Sequence, residues 1–379
     1  MAGPTVTGGN VSTLVPSYYD RRLLENLYKE TMLYNYCEHK PLPRNEGKTI
    51  YFSNLSTDAG ALSLELTEGT APTAGDFSAV QRYATIRQFG QTKTTSDLLE
   101  MTAITDVVNG AVDLMATVAA DTLEIFLREA TFRYIPATMT TVSAIPVISA
   151  SMQCISAIHD DSLGLSGEGG TSPKTFSWTT GGFPKYMVSA VGTVALSNLA
   201  TSANYSAYEL NCADLRHATK ILRRRNVKPY YNEGLYVAFV DAVAEEQLLN
   251  DPVWQTMANT EPKGLRKWEK GVVGDVHGVR VVRNNHMLSM ADGDHLSGDN
   301  CYGHWTLVMG KGAMACTELE PAPGRPGRRA TGMKIIPRTK IDHTNPLGQY
   351  STMGWKMEVA SVVLNASAGL YIVSLAEGG

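Results

Sequence analysis

Alternating leucines mark the first extended stretch of the chain. In ALSLELTEG, residues 61–69, three leucines alternate with polar residues, so an extended strand would carry Leu62, Leu64 and Leu66 on one side. The stretch lies within a longer extended segment, 47–91, that predicts a hairpin or two. A hairpin of that size is marginal alone in water. The leucine side therefore needs a cover from elsewhere.

The strongest helical pattern begins at Ser96 and Asp97 and runs to about Tyr134. At about 1.5 Å per residue, nearly 40 residues would make a rod of roughly 57 Å, longer than a compact small domain needs. Gly110 lies inside it and marks a candidate bend or close contact. Apolar residues at 3–4 spacing predict its inner stripe: Met101, Ile104, Val108, Ala111, Met115, Val118 and Phe126.

The rest of the chain mixes short helices and strands. Helices are predicted from Ser17 to about His39 and over 208–226 and 242–250, with a loop around Trp254. Strands are predicted over 234–240, 272–285, 304–310 and in MKIIPRTKID, MEVASVVLN and LYIVSL. Residues 136–206, rich in Ser, Thr, Gly and Ala, form an inserted subdomain or elaborated loop. Extended segments around two helical blocks predict an α+β fold, without a regular βαβ alternation.

Charge and cysteine content reduce the number of function classes that the sequence allows. A formal charge of −4 and a pI near 6.1 give no overall attraction to nucleic acid, so any DNA contact must be local. The five cysteines are widely spread without a CxxC pair, which argues against a disulfide framework and a zinc ribbon. No secretory signal pattern and no run of about 18 apolar residues is present in the sequence, so we expect no membrane partner.

The sequence contains no convincing catalytic, metal or cofactor motif. The histidines include neither HExxH nor a His-x3-His pair, and no GxSxG is found. The segment SGEGGTSPKT ends in Lys-Thr like a phosphate-binding loop, but Pro173 replaces the required glycine. GKGAMA, residues 310–315, is typical of a tight turn. We therefore expect no catalytic residues, no metal, no cofactor and no enzyme activity.

Two basic clusters stand out. One is Arg223 to Arg225, and the other contains Arg325, Arg328, Arg329, Lys334, Arg338 and Lys340. A solvated face or inter-subunit salt bridges are the favoured use, and DNA phosphates are the alternative.

The sequence resembles the major capsid proteins of tailed bacteriophages. The matching motifs keep their order over nearly the whole chain; they are LTEGTAP (66–72), QFGQ with SD (88–91, 96–97), GDVHGVRVV (274–282), GKGA (310–313) and IDHTNPLGQYSTMGWKMEVASVVLN (341–365). Residues 136–206 carry no motif of that family.

The resemblance implies the Hong Kong phage capsid fold. In that anatomy the chain divides into an N-terminal arm with the first helix (1–46), an extended loop (47–95), the spine helix of a peripheral domain (96–135), an insertion (136–206), an axial domain (207–330) and closing strands (331–379).

The implied function is a shell subunit that assembles as hexamers and pentamers around double-stranded DNA. Candidate inter-subunit contacts are the leucine stripe Leu62, Leu64 and Leu66, the carboxylates Glu65 and Glu68, and the arginines Arg325, Arg328 and Arg329. The implied partners are further copies of the chain, a portal, packaged double-stranded DNA through local non-specific contact and a decoration protein, for which 136–206 is the candidate site. The implied location is the virion, with assembly in the host cytoplasm. The arm before Ser17 is too short for a fused scaffolding segment, so we expect a separate scaffolding protein.

Two other function classes stay open. A cellular nanocompartment shell of the same fold would enclose an enzyme cargo, although the NPLGQ and GWK motifs favour the phage branch. An enzyme with an unrecognised site is the other alternative.

Overall fold

The computed structural model describes residues 31–41, 48–56, 78–102, 107–132, 183, 185–187, 209–260, 272–287, 301–318, 333–339 and 349–377. The strands are β1 (Glu38–Lys40), β2 (Thr49–Ser56), β3 (Ser78–Thr85), β4 (Arg87–Ser96), β5 (Lys185–Met187), β6 (Tyr236–Val240), β7 (Val272–Val276), β8 (Val279–Arg283), β9 (Cys301–Met309), β10 (Met314–Thr317), β11 (Met333–Thr339), β12 (Tyr350–Val359), β13 (Ser361–Val363) and β14 (Gly369–Glu377). The helices are α1 (Asp97–Thr102), α2 (Val107–Phe132), α3 (Cys212–Arg224), α4 (Ala242–Asn250) and α5 (Pro252–Thr260), with 3-10 turns at Tyr34–Tyr36 and Ala366–Ala368.

A mixed six-stranded sheet holds much of the buried core. Its order is β5–β14–β9–β6–β8–β7. All five residues of β6 are buried, because α3 packs against β7, β8 and β14 while α4 packs against β6 and β9. An unbroken apolar run such as YVAFV is typical of a strand covered on both faces. The strand and the two helices were predicted from the sequence, and the structure confirms them.

The helix starts in this region follow ordinary capping chemistry. Asn211 and Asp214 form a reciprocal capping box at the start of α3, and the Asp241 side chain accepts the Ala244 N–H at the start of α4. The hairpin β7–β8 turns through His277 and Gly278, whose φ angles of 47° and 84° suit a two-residue turn. These local signals fix the edge of the sheet beside α3.

A second sheet, in the order β11–β12–β4, packs against α2. The pairing of β12 with β4 runs from Tyr350 opposite Ser96 to Val359 opposite Arg87. The rings of Phe89 and Phe126 meet with centroids 5.3 Å apart. A third small sheet joins β1, β10 and β13.

The structure confirms part of the predicted inner stripe of the long helix, since Met115 and Phe126 are buried, and corrects the rest. Its buried face consists of Val112, Met115, Ala116, Ala119, Ala120, Leu123, Phe126, Leu127 and Ala130. Met101 and Val118, which were predicted on the inner stripe, are exposed, and Ala111 is half-buried. Of the two alternatives for Gly110, the close contact is wrong, because a Cβ built there has nothing within 4 Å, and the bend stays a prediction. Residues 103–106, between α1 and α2, lie outside the described residues.

Three boundaries also differ from the sequence prediction. The helix expected to reach His39 gives way to β1, because backbone pairing with β10 outweighs local propensity. The expected loop around Trp254 is α5, whose first residue is Pro252. The extended run around residues 80–90 is divided at Ile86, and its halves β3 and β4 belong to different sheets.

Within 136–206 the structure describes Phe183 and β5, which lies parallel to β14.

Candidate inter-subunit surface

The hairpin of β2 and β3 carries the predicted contact loop. Its strands pair from Thr49 opposite Thr85 to Ser56 opposite Ser78. Five of the predicted contact residues lie in the connection 57–77, outside the described residues: Leu62, Leu64, Glu65, Leu66 and Glu68. The three predicted arginines, Arg325, Arg328 and Arg329, are also outside the described residues, in the segment 319–332. The described part of the chain therefore shows where the loop is attached and leaves these contacts as predictions.

The base of the hairpin is held by the subunit's own body. Ile50, Phe52 and Ala84 lie on one face and are buried. They form a small apolar cluster with Ala315, Ala360 and Leu364. These contacts attach the base of the hairpin to β10 and to the segment around β13.

The opposite face of the same hairpin presents two tyrosines to solvent. Tyr51 and Tyr83 are direct partners across the strands and are 58% and 63% exposed. Because the two residues lie opposite each other, both rings contribute to the same exposed surface. A subunit that places two large rings in water has a surface suited to contact with another molecule.

Helices α1 and α2 expose a second set of large apolar side chains. Leu98 and Met101 on α1 are 72% and 79% exposed. Leu114 on α2 is 70% exposed, and Val118 follows it four residues later on the same face. Sequence periodicity placed Met101 and Val118 on the inner side instead, because α2 is apolar on more than one side and the pattern alone does not tell which side faces the core.

A third exposed apolar spot lies at the corner between α4 and α5. Leu249 and Val253 are exposed there. The corner is held by Asp251, whose carboxylate accepts the N–H of Val253 and the N–H of Cys212, both at 2.7 Å. These hydrogen bonds lower the pKa of Asp251, although its partial burial acts to raise it. The ionised carboxylate thus ties the start of α3 to this corner.

A buried glutamate on α2 anchors the backbone of Leu33 and Tyr34. Glu124 on α2 accepts the N–H of Leu33 at 3.1 Å and that of Tyr34 at 3.4 Å. It also accepts the side-chain amide of Asn284 at 2.9 Å. Burial raises the pKa of Glu124 to about 7, although these hydrogen bonds act to lower it.

We expect Glu124 to make subunit stability depend on pH. Its folded pKa lies above the usual 4.5, so between these two values the folded state holds a proton that the unfolded chain releases. The free energy of unfolding therefore falls as the pH rises from about 4.5 to 7, by on the order of 3 kcal/mol from this group at about 1.36 kcal/mol per pKa unit. Urea unfolding of dissociated subunits at pH 5, 6, 7 and 8 measures this change.

The matched variant is Glu124→Gln, which keeps the shape and an acceptor oxygen but does not titrate. The difference in unfolding free energy between the native chain and the variant should change between pH 5 and 7 and stay level above pH 7. A difference that is constant over the whole range would contradict the assignment to Glu124.

A cysteine and histidine pair is the arrangement closest to a reactive site. Cys316 Sγ lies 3.3 Å from His39 Nδ1, and the Cys37 thiol donates to the carbonyl oxygen of Leu33 at 3.3 Å. Burial disfavours the Cys316 thiolate, but the neighbouring Cys37 and His39 side chains outweigh burial and lower the pKa of Cys316. Burial raises the pKa of Cys37, which therefore keeps its proton. The thiols of Cys37 and Cys316 are both buried. The contact between Cys316 on β10 and His39 on β1 therefore helps to join these two paired strands.

A second polar pair is equally enclosed. The ring Nδ1 of His304 on β9 contacts the Asp241 carboxylate, which also caps α4.

Within the described ranges, no group of three or more His, Cys, Asp or Glu residues is arranged to hold a metal ion. Of the helices in the described part of the chain, none is both long and apolar enough to cross a membrane.

Comparison with known proteins identifies the fold. No protein-family model and no curated protein sequence matches this chain. The capsid of cyanophage P-SCSP1u is similar in structure, with 17% identity and a TM-score of 0.51 over 90% of this chain and 87% of that one. The capsid of Ralstonia phage GP4 gives 12% identity and 0.52 over 88% and 85%. The capsid of cyanophage Pam1 gives 11% and 0.53 over 88% and 86%. The chain therefore has the fold of phage capsid proteins, as the sequence predicted.

Proposed function

We propose that this chain, which has a phage capsid fold, is the major capsid protein of a tailed bacteriophage. It assembles as hexamers and pentamers into an icosahedral head that encloses double-stranded DNA, and its location is the virion. The observation that carries the proposal is the fold itself, shared over about nine-tenths of the chain with the capsid of cyanophage P-SCSP1u. Exposed apolar side chains lie on the β2–β3 hairpin, on α1 and α2 and at the α4–α5 corner. They support the capsid proposal, because a shell subunit needs several contact surfaces.

The leucine stripe is the first proposed contact. Leu62, Leu64 and Leu66 lie beyond the base of the hairpin, which the subunit's own body already holds. A neighbouring copy covers the stripe, and the exposed face of α2 around Leu114 and Val118 is the candidate surface that receives it. Each contact can be modest, because a subunit in a closed shell is held by several neighbours at once.

Charged contacts complete the proposed interface. Glu65 and Glu68 flank the leucine stripe, and Arg325, Arg328 and Arg329 form a basic loop elsewhere in the chain. Salt bridges between these groups on neighbouring copies would fix the register of the contact, while the leucines would supply most of its free energy.

The proposed partners follow from a DNA-filled head. They are a separate scaffolding protein during assembly in the host cytoplasm, a portal at one vertex and a decoration protein on the outer surface. Residues 136–206 are the candidate site for the decoration protein, because they are rich in small and polar residues.

Electron microscopy of the purified protein tests the main proposal. Closed shells are the expected result, and a monomer that turns over a substrate would overturn the proposal. The contents of shells from the native source separate the phage head from a cellular nanocompartment of the same fold. Double-stranded DNA is expected, and an enclosed enzyme would favour the nanocompartment.

Expression of the chain alone tests the need for a scaffolding protein. We expect irregular or wrongly sized particles, because the contact surfaces by themselves do not select one curvature. Negative-stain images and sedimentation velocity give the size distribution. A single population of regular shells of native size, formed without any other phage protein, would show that no scaffold is needed.

A further inference from the structure

The solvent face of α3 is entirely basic. The exposed residues of this helix are Arg216, Lys220, Arg223 and Arg224. Spacings of four, seven and eight residues place them on one face, and the rise of about 1.5 Å per residue spreads them over roughly 12 Å. The opposite face is buried against the six-stranded sheet through Cys212, Leu215, Ala218, Thr219, Ile221 and Leu222.

The basic surface continues beyond the end of the helix. Lys228 and Lys311 are both exposed, and the N–H of Lys311 donates to the carbonyl oxygen of Lys228 at 3.0 Å. Arg225 closes the helix, and its guanidinium donates to the carbonyl oxygen of Ser367 at 3.4 Å. Cations at a helix C-terminus are favoured by the helix dipole, so the fold tolerates this concentration of charge. We call these seven cations, from Arg216 to Lys228 together with Lys311, the α3 basic face.

Within the part of the chain that the structure describes, the nearby carboxylates Glu38 and Asp214 do not form ion pairs with the arginines of the α3 helix surface, Arg216, Arg223 and Arg224. Glu38 lies at one edge, where its Oε1 is 3.3 Å from a Cβ built on Gly312. Asp214 is buried in the capping box at the far end of the helix. Among the described residues, the ion pairs do not include Arg216, Arg223 or Arg224.

The guanidinium of Arg223 lies close to the β7–β8 turn. A Cβ built on Gly278, in the β7–β8 turn, would lie 3.0 Å from Arg223 Nη2. The glycine therefore leaves room for the Arg223 head against the turn. This arrangement holds the charge at a defined place on the surface.

We infer that the α3 basic face binds the phosphate backbone of double-stranded DNA without sequence specificity. The inference rests on the proposed function and names the part of the subunit that meets the packaged genome. It follows that this side of the six-stranded sheet faces the lumen of the shell. Because the whole chain carries a net charge of −4, attraction to DNA must come from a local cluster of this kind.

The composition of the face favours DNA over an acidic protein partner. Stable protein interfaces usually have a buried core of aromatic or apolar anchors. Every exposed residue of α3 is instead a lysine or an arginine. Such a surface gains little from burial but releases counterions when it meets a linear array of phosphates.

Salt-dependent binding of a 30-base-pair duplex to full-length subunits tests the inference. The variant Arg216→Gln/Arg223→Gln/Arg224→Gln should bind at least tenfold more weakly. The slope of log K against log salt should fall in magnitude by about two to three, at about 0.9 per lost phosphate contact. The conservative variant with lysine at the same three positions should keep the slope, because these contacts require charge.

The matched control is Lys48→Gln/Arg82→Gln/Lys93→Gln, which removes three exposed cations outside the α3 basic face. It should bind DNA like the native chain. Equal binding by the α3 variant and the native chain would overturn the inference, and so would tighter binding of polyglutamate than of the duplex. Circular dichroism of each variant verifies that it is folded.

Electron microscopy of the same samples separates this inference from the proposed function. Closed shells whose DNA binding is unaffected by the α3 variant would leave the capsid function standing and remove the assigned face. Binding that depends on the α3 basic face, from a chain that forms no shells under any condition, would keep the DNA site and contradict the capsid function.

Discussion

A chain carrying Leu64→Ser and Leu66→Ser is expected to fold, remain soluble and form no closed shells. Burial of two leucine side chains contributes roughly 3–6 kcal/mol, which is large beside a weak subunit contact. The subunit itself should be unaffected, because the hairpin is attached through Ile50, Phe52 and Ala84 at its base. Sedimentation velocity and electron microscopy measure assembly, and circular dichroism with thermal unfolding reports on the subunit.

The matched control changes the polar side of the same stretch. Ser63→Ala/Thr67→Ala makes two substitutions on the opposite face of the predicted strand. It should assemble normally. Unfolding of the isolated leucine variant would show that the stripe belongs to the subunit's own core, and normal shells from it would show that the stripe is no contact at all.

Elements whose local sequence signals agree with their packing were the most predictable from sequence. The apolar run of β6 predicts its strand, and α4 has the bounds that the pattern indicates. In both cases local propensity and apolar patterning favour the observed element, and the Asp241 cap adds a start signal for α4. Pairing over long sequence distances was harder to predict. β1 forms because β10, nearly 280 residues further along the chain, offers its backbone to Glu38, His39 and Lys40.

A missed capping signal explains the error at Trp254. Asp251 closes α4, and the N–H of Val253 donates to its carboxylate, so the same side chain opens α5. Pro252 then occupies the first position of a helix, where its missing N–H costs nothing. The aspartate and proline together are a recognisable start signal. Here it was hidden because another helix ends at the same residue.

The candidate contact surface was predictable only in part, and the reason lies in the chemistry of assembly. Burial inside a subunit and burial between subunits require the same apolar residue types. On α2, Leu123 and Phe126 face the core, while Leu114 and Val118 face solvent. The periodicity of the sequence contains both faces at once, and the packing of the sheets decides which of them the subunit covers itself.

Leu114→Lys should separate these two faces by preventing assembly without weakening the subunit. Leu114 is already 70% exposed, so a lysine there stays hydrated and the free energy of unfolding should change by no more than about 0.5 kcal/mol. In the shell the ammonium would be buried against a neighbour's apolar side chains, which opposes contact. Light scattering during assembly and electron microscopy of the products measure the loss.

The buried residue Leu123, on the other face of α2, provides the contrasting variant. Leu123→Ala removes a fully buried side chain and should reduce the free energy of unfolding by about 2–5 kcal/mol. Its surface is unchanged, so any subunit that remains folded should still assemble. If Leu114→Lys instead lowered the stability of the isolated subunit as much as Leu123→Ala does, the exposed face of α2 would be part of the subunit's own packing. Normal shell formation by Leu114→Lys would remove that face from the interface and leave the leucine stripe to be covered elsewhere.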